Sequence, residues 1–408
     1  MGIYHESTKT RKRGDFIADG KLAKPLLITL TVFTAIFLFF APSWGSNWAI
    51  SPHIAIVEEY NDNILYSGEG EELDDWVTYL KPRVQGTYST EKVRLSLDSG
   101  LGIQKYRDND ALDTTDHDHR MALSCLVSKT LSLQAGAYFR EDTTLETELT
   151  EEGLLVRNRE DRRRFGGDLG FIYLFSNRIS LSGNWTETYT EYPEDPEDFD
   201  DFRSYTLHLA PQYVLGPKTR LFLRMAYTKT EYDRRLNPSI SNFNIRPSFR
   251  HDFAEHYYIS GGAGYSYTER ETDAGDEHSD NFVFDLAFHR DWQKVSMELV
   301  ARRDQYSSID ARSVERDRLT LTGTYRLGAR FRTSVAASFG RNHVEVGNDS
   351  DYYTATPALT YDLTPNIQLR ANVDYSEYRY EDASTSDRDR FTARLLLDLN
   401  WPGLLRGE

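Results

Sequence analysis

The chain has 408 residues, with 48 Lys and Arg against 64 Asp and Glu, a formal net charge of −16, and 39% hydrophobic and 13% aromatic residues. Its mean hydropathy of −0.60 excludes a bundle of transmembrane helices, and its acidic balance argues against a general nucleic-acid binder. A single Cys excludes a disulfide framework and any multi-cysteine metal site.

Residues 1–24 are polar and basic, with Arg11, Lys12, Arg13, Lys21 and Lys24. An apolar run from Pro25 to Ala41 follows, then the small residues of Pro42-Ser43-Trp44-Gly45-Ser46. This is the layout of a secretory signal peptide. Ala41/Ser43 or Ser43/Gly45 would be the −3/−1 pair for cleavage. The apolar run is short for the roughly 20 residues of a spanning helix; an uncleaved anchor is the alternative. We expect a signal peptide over 1–43 and a mature chain over 44–408. Removing 1–43 takes away six cations and three acids, so the mature charge becomes about −19.

From Trp48 onward, apolar and polar residues alternate in segments of strand length. Val93, Leu95, Leu97, Leu101 and Ile103 oppose Arg94, Ser96, Asp98, Gly100, Gly102 and Gln104. Leu221, Leu223, Met225 and Tyr227 oppose Phe222, Arg224, Ala226 and Thr228. The same holds over 295–302 and 367–375. Period two is the strand signature. About 18 such segments (16–18) run from 48–60 to 388–401. Short connections such as Ser128-Lys-Thr130 and Thr364-Pro-Asn366 alternate with long ones such as 61–74, 190–201 and 271–279. The long ones are acidic, as in Glu191-Tyr-Pro-Glu-Asp-Pro-Glu-Asp-Phe-Asp-Asp201. The expected fold is all-β: one up-and-down antiparallel β-barrel of the outer membrane, with short periplasmic turns and long extracellular loops. An even strand count places both ends on the short-turn side.

Four segments that enter a short turn carry a mid-strand proline: Pro82, Pro211, Pro247 and Pro357. Proline donates no ladder hydrogen bond, so each position predicts a bend or bulge. Shared descent of duplicated hairpins accounts for the recurrence equally well. Aromatic residues recur near strand ends on the apolar parity, among them Trp76, Phe139, Trp185, Tyr205, Tyr213, Phe282, Tyr353, Tyr361, Phe391 and Trp401. They match the two aromatic girdles of a membrane barrel. A soluble β-sandwich would alternate too, but at this length it would need several domains, and no Pro/Ser/Gly-rich linker separates any. The last segment, Phe391 to Trp401, is similar to the C-terminal strand that outer-membrane assembly machinery recognises, with seven residues following Trp401.

A barrel of this size is wide enough for an aqueous lumen. The polar parity supplies the candidate pore-lining residues: Arg83, Arg94, Asp98, Arg224, Arg246, Glu298, Arg302, Arg332, Arg370, Asp374 and Arg394. Guanidinium groups suit carboxylate, sulfate or phosphate. The functional reading is a path for an anionic or hydroxyl-rich solute; the alternative is a charge network that hydrates and braces the wall. The acidic loops contain no D-x-[DN]-x-[DN]-G loop with its glutamate, so a solvated rim is expected rather than a metal site. The ten His are scattered, and no nucleophile elbow or His-Glu-x-x-His is present. Cys125 falls on the apolar parity. No enzyme activity, cofactor or metal is expected.

The opening strands, Ile50-Ser-Pro-His-Ile-Ala-Ile-Val-Glu-Glu-Tyr-Asn-Asp-Asn-Ile-Leu65 and Trp76-Val-Thr-Tyr-Leu-Lys-Pro-Arg-Val-Gln-Gly-Thr-Tyr-Ser89, resemble the start of the β-barrel porins of the second type. The Glu-Tyr-Asn-Asp-Asn-Ile stretch ahead of an aromatic-Pro strand is the most specific part. Members of that family often accompany exopolysaccharide production. The resemblance implies an outer-membrane barrel of a Gram-negative bacterium, in contact with lipid, passing a saccharide solute, with periplasmic secretion machinery as a partner. A general diffusion porin and a plugged structural or assembly barrel are the alternatives.

Overall fold

The computed structural model describes residues 47–144, 159–194, 199–233, 239–272, 275–307, 313–344, 349–381 and 386–407. The expected signal peptide over 1–43 lies outside the described residues. The strands are β1 Asn47–Asn61, β2 Asp75–Ser89, β3 Val93–Tyr106, β4 Thr114–Leu126, β5 Leu131–Thr143, β6 Asp161–Leu174, β7 Ile179–Glu191, β8 Phe202–Gly216 and β9 Thr219–Tyr232. They continue as β10 Ile240–Ala254, β11 Tyr257–Thr272, β12 Gly275–Asp291, β13 Val295–Ser307, β14 Ser313–Arg326, β15 Phe331–Val344, β16 Ser350–Thr364, β17 Ile367–Tyr380, β18 Arg388–Asn400 and the short β19 Leu405–Gly407. Each of the first seventeen pairs antiparallel with the next, and β18 returns to β1 through His53↔Asn400 to Asn61↔Thr392. The result is the expected closed 18-strand barrel.

The short turns are tight because a hydroxyl closes several of them. Thr90 Oγ1 accepts from Val93 N at 3.0 Å, Ser128 Oγ from Leu131 N at 3.1 Å, and Ser176 Oγ from Ile179 N at 3.1 Å. This side chain-to-backbone bond competes with continued extension and reverses the chain.

At each mid-strand proline, the ladder to the preceding strand is continuous and the ladder to the following strand skips two residues. The β2–β3 pairs run from Leu80↔Ile103 directly to Arg83↔Gly100. The β10–β11 pairs run from Ile245↔Tyr265 to Ser248↔Gly262. Pro211 and Pro357 give the same gap. Register is unchanged across all four, so these are ladder gaps caused by the missing N–H rather than bulges.

The outward face is apolar, with an aromatic ring at each border. Phe165 and Tyr173, Tyr205 and Tyr213, Tyr265 and Tyr257, Phe339 and Phe331, and Tyr353 and Tyr361 share that face, eight residues apart on five different strands. At about 3.3 Å rise and about 40° tilt, eight residues span roughly 20 Å of bilayer. Leu169, Leu207 and Leu359 between them are exposed. The first outward rung beyond the long-loop aromatics is charged: Arg163 pairs with Glu141 at 2.9 Å, Arg341 with Asp351 at 2.7 Å, and Arg303 with Asp317. The apolar band therefore ends within two residues, as a lipid–water boundary requires.

Two elements differ from the expectation. The segment 271–279 is not a loop: β11 and β12 stay paired to Thr272↔Gly275. This part lies beyond the girdle, where water meets both faces and no apolar alternation is needed. There β12 also leaves β13, the two pairing only from Phe284↔Arg303 to Asp291↔Ser296. At the other end, the residues after Trp401 turn at Gly403 (φ 62°) and form β19 on the start of β1, from Trp48↔Gly407 to Ile50↔Leu405.

Candidate functional site

The register carries one parity of every strand onto the polar face. All eleven candidate residues share that face, through chains of partners such as Arg224↔Arg246 and Asp285↔Arg302. Side chains on it reach each other across intervening strands, which only the concave side of a closed sheet allows. Arg224 on β9 contacts Asp285 on β12 at 3.3 Å, passing over β10 and β11. Gly262 and Gly264 of β11 keep that route clear. A Cβ at Gly264 would lie 2.0 Å from the Ile245 carbonyl oxygen, and one at Gly262 2.1 Å from Ser248 Oγ.

The charged residues gather around single carboxylates. Arg246 Nη1 lies 2.9 Å from Asp285, so two guanidiniums share that acid. Arg302 and Arg316 share Asp304 at 2.9 and 3.1 Å. Arg140, Arg162 and Arg164 converge on Asp142 at 3.0, 3.1 and 2.6 Å. Among the described residues the Asp285 group sets two guanidiniums against one carboxylate. The opposite arc is balanced or acidic. Arg83 bridges Asp98 at 2.9 Å and Asp118 at 3.1 Å, with Arg120 on the second acid. Arg394 lies between Glu59 and Asp374, 2.6 Å from the latter. Arg332 meets Asp362 at 3.4 Å near the short turns. Arg94 and Arg370 are exposed on the same face and have no ion-pair partner among the described residues. Glu298 lies opposite His289.

Sequence reasoning missed the Asp142 group. In the sequence, 142–160 reads as a long acidic connection, so the inward position of Asp142 next to Arg162 and Arg164 is not visible. The signal was present in Arg162-Arg163-Arg164, whose first and third members share a parity.

The β1–β2 connection, residues 62–74, folds onto the inner wall. Tyr66 is buried against Tyr352 of β16 and Tyr378 of β17. Arg388 Nη1 donates to its carbonyl at 3.0 Å, and the Arg390 guanidinium sits 4.9 Å from its ring centre. Asn63 Nδ2 donates to the Ser67 and Asp389 carbonyls at 3.0 and 2.9 Å. Burial pushes the Tyr66 hydroxyl up to about 12. The tip of this strap, Glu69, Glu71 and Glu72, is exposed.

Among known proteins, a family described as "Putative beta-barrel porin 2" matches residues 44–272. The crystal structure of Pseudomonas aeruginosa OccK2 (OpdF) superposes with a TM-score of 0.51 at 12% identity, covering 88% of this chain and 98% of that one. The complex of the same protein with glucuronate gives 0.50 at 13% identity, with the same coverage. At that identity the likeness establishes the fold alone. No curated protein matches the chain.

Proposed function

The chain belongs to the "Putative beta-barrel porin 2" family and is an outer-membrane β-barrel of the porin type; from that premise we propose that it is a passive channel for an anionic polysaccharide or oligosaccharide, in an exopolysaccharide-producing setting. In this reading Arg83, Arg94, Asp98, Arg224, Arg246, Glu298, Arg302, Arg332, Arg370, Asp374 and Arg394 line the path. The supporting observation is the pair of guanidiniums, Arg224 and Arg246, that share the single carboxylate of Asp285 among the described residues. A carboxylate-bearing sugar can exchange with the shared acid at such a group and keep a charge-assisted hydrogen bond throughout. OccK2, of like fold, has been crystallised with glucuronate, a sugar acid. The balanced group around Arg83 and the acidic one around Arg394 favour a second reading, a general diffusion porin with little charge preference.

Reconstituted single channels decide between the two. We expect block by an acidic oligosaccharide at lower concentration than by a neutral one of equal length, and anion preference that Arg224→Glu with Arg332→Glu reverses. Equal block by both glycans, with selectivity unchanged in the double variant, would support general diffusion. Absence of conductance would leave a structural barrel.

A further inference from the structure

The inner wall is not charged all round. One register rung crosses six neighbouring strands through Thr186↔Thr206, Thr206↔Thr228, Thr228↔Asn242, Asn242↔Thr268 and Thr268↔Ser279. Every residue on it is neutral and carries a hydroxyl or amide. Thr206 and Thr228 hydroxyls lie 3.1 Å apart, and Asn242 Nδ2 donates to Thr268 Oγ1 at 2.6 Å. On β6 the rung continues to Asp168, opposite Thr186, with Arg164 two rungs above it; Arg224 and Arg246 lie two rungs below on β9 and β10. A neutral polar field thus lies within two rungs of guanidiniums, with one carboxylate at its β6 end.

We infer that this rung is a binding track for the hydroxyls of a saccharide chain, a site distinct from the arginines that would hold its carboxylates. The inference rests on the saccharide reading above. Adjacent strands are about 4.8 Å apart, a spacing close to the repeat of one pyranose unit, so successive sugars meet successive strands. Thr186, Thr206 and Thr228 are half-buried on the inner face. Each hydroxyl both donates and accepts, so it fits a sugar hydroxyl in either orientation. The nearby arginines lack that versatility, since guanidinium only donates.

The test is calorimetric binding of two probes, a neutral glucose hexamer and a galacturonate hexamer, to the detergent-solubilised full barrel. Thr186→Val, Thr206→Val and Thr228→Val are combined, because Val keeps shape and strand preference while removing the hydroxyl. We expect the Kd of both hexamers to rise about tenfold, with potassium chloride conductance and heat-modifiable migration unchanged. Arg224→Gln with Arg246→Gln should raise the Kd of the acidic hexamer only. Binding of both hexamers undiminished by the triple variant overturns the track and leaves the saccharide reading standing. Failure of either hexamer to bind the wild-type barrel overturns both. Binding that depends on the three hydroxyls in a barrel without conductance supports the track and removes the channel.

Discussion

Asp142 shows how one side chain can set the charge of a whole sector. It is buried, accepts from three guanidiniums, and one of these, Arg162, is itself almost wholly buried. Removing the acid breaks an ion pair with a buried guanidinium, a change that costs on the order of 3 kcal/mol. Asp142→Ala should therefore lower the stability of the vesicle-inserted barrel by about that amount in urea titration followed by Trp fluorescence. Asp168→Ala is the control: Asp168 lies on the same face and has no ion-pair partner among the described residues, so it should stay within about 0.5 kcal/mol. Equal losses at the two sites would show that the Asp142 cluster is no more than surface charge. At this scale the sequence was half legible. Parity alone sorts Arg83, Arg224 and Arg394 onto one face, because a period of two allows no third option. It says nothing of which acid each would meet. The Arg224–Asp285 contact crosses an intervening strand whose inward positions there are two glycines, Gly262 and Gly264, that pattern reading treats as blanks.

The strands were legible from alternation wherever lipid lies on one side and water on the other. They were not legible where water lies on both, as along β12 from Gly275, or where an element is shorter than a period, as in β19. β19 closes a defect that strand counting could not foresee. β18 covers β1 only from His53 onward, and without the last residues the start of β1 would present an unpaired edge. The turn that leads into it is held by Trp401 N donating to the Pro52 carbonyl at 3.1 Å and Gly403 N donating to Ser51 Oγ at 2.8 Å. Gly407 lies so close to the Trp48 ring that a Cβ there would come 2.3 Å from its Nε1. Truncation after Trp401 should cost about 2 kcal/mol, a few net backbone hydrogen bonds. It should appear as a lower temperature for loss of the fast-migrating folded form on gels, while Phe391 to Trp401 still supports insertion. An unchanged transition would mean that the β1 edge finds other partners.

Over the whole molecule the net charge of −16 describes no single surface. Acids dominate connections such as 69–75, whereas the inner wall carries guanidinium groups around Asp142, Asp285 and Asp304. An anionic solute would thus meet repulsion at the rim and attraction inside, and the two fields should act on different rate constants. Rim charges are solvent-exposed and act through long-range steering, which salt screens over about 10 Å at 0.1 M and about 3 Å at 1 M. Wall groups act at contact and govern residence. Glu69→Gln, Glu71→Gln and Glu72→Gln together remove the exposed acids at the tip of the strap. This variant should raise the association rate of an acidic hexasaccharide several-fold at 0.05 M salt and hardly at all at 1 M, with its dissociation rate unchanged in single-channel block records. Arg224→Gln with Arg246→Gln should do the reverse, shortening each block and leaving its frequency nearly constant. If the strap variant changed residence instead, the tip would reach down to the wall groups. Rim and lumen would then form one electrostatic unit, because a charge that alters dissociation must touch the bound solute or the groups that hold it.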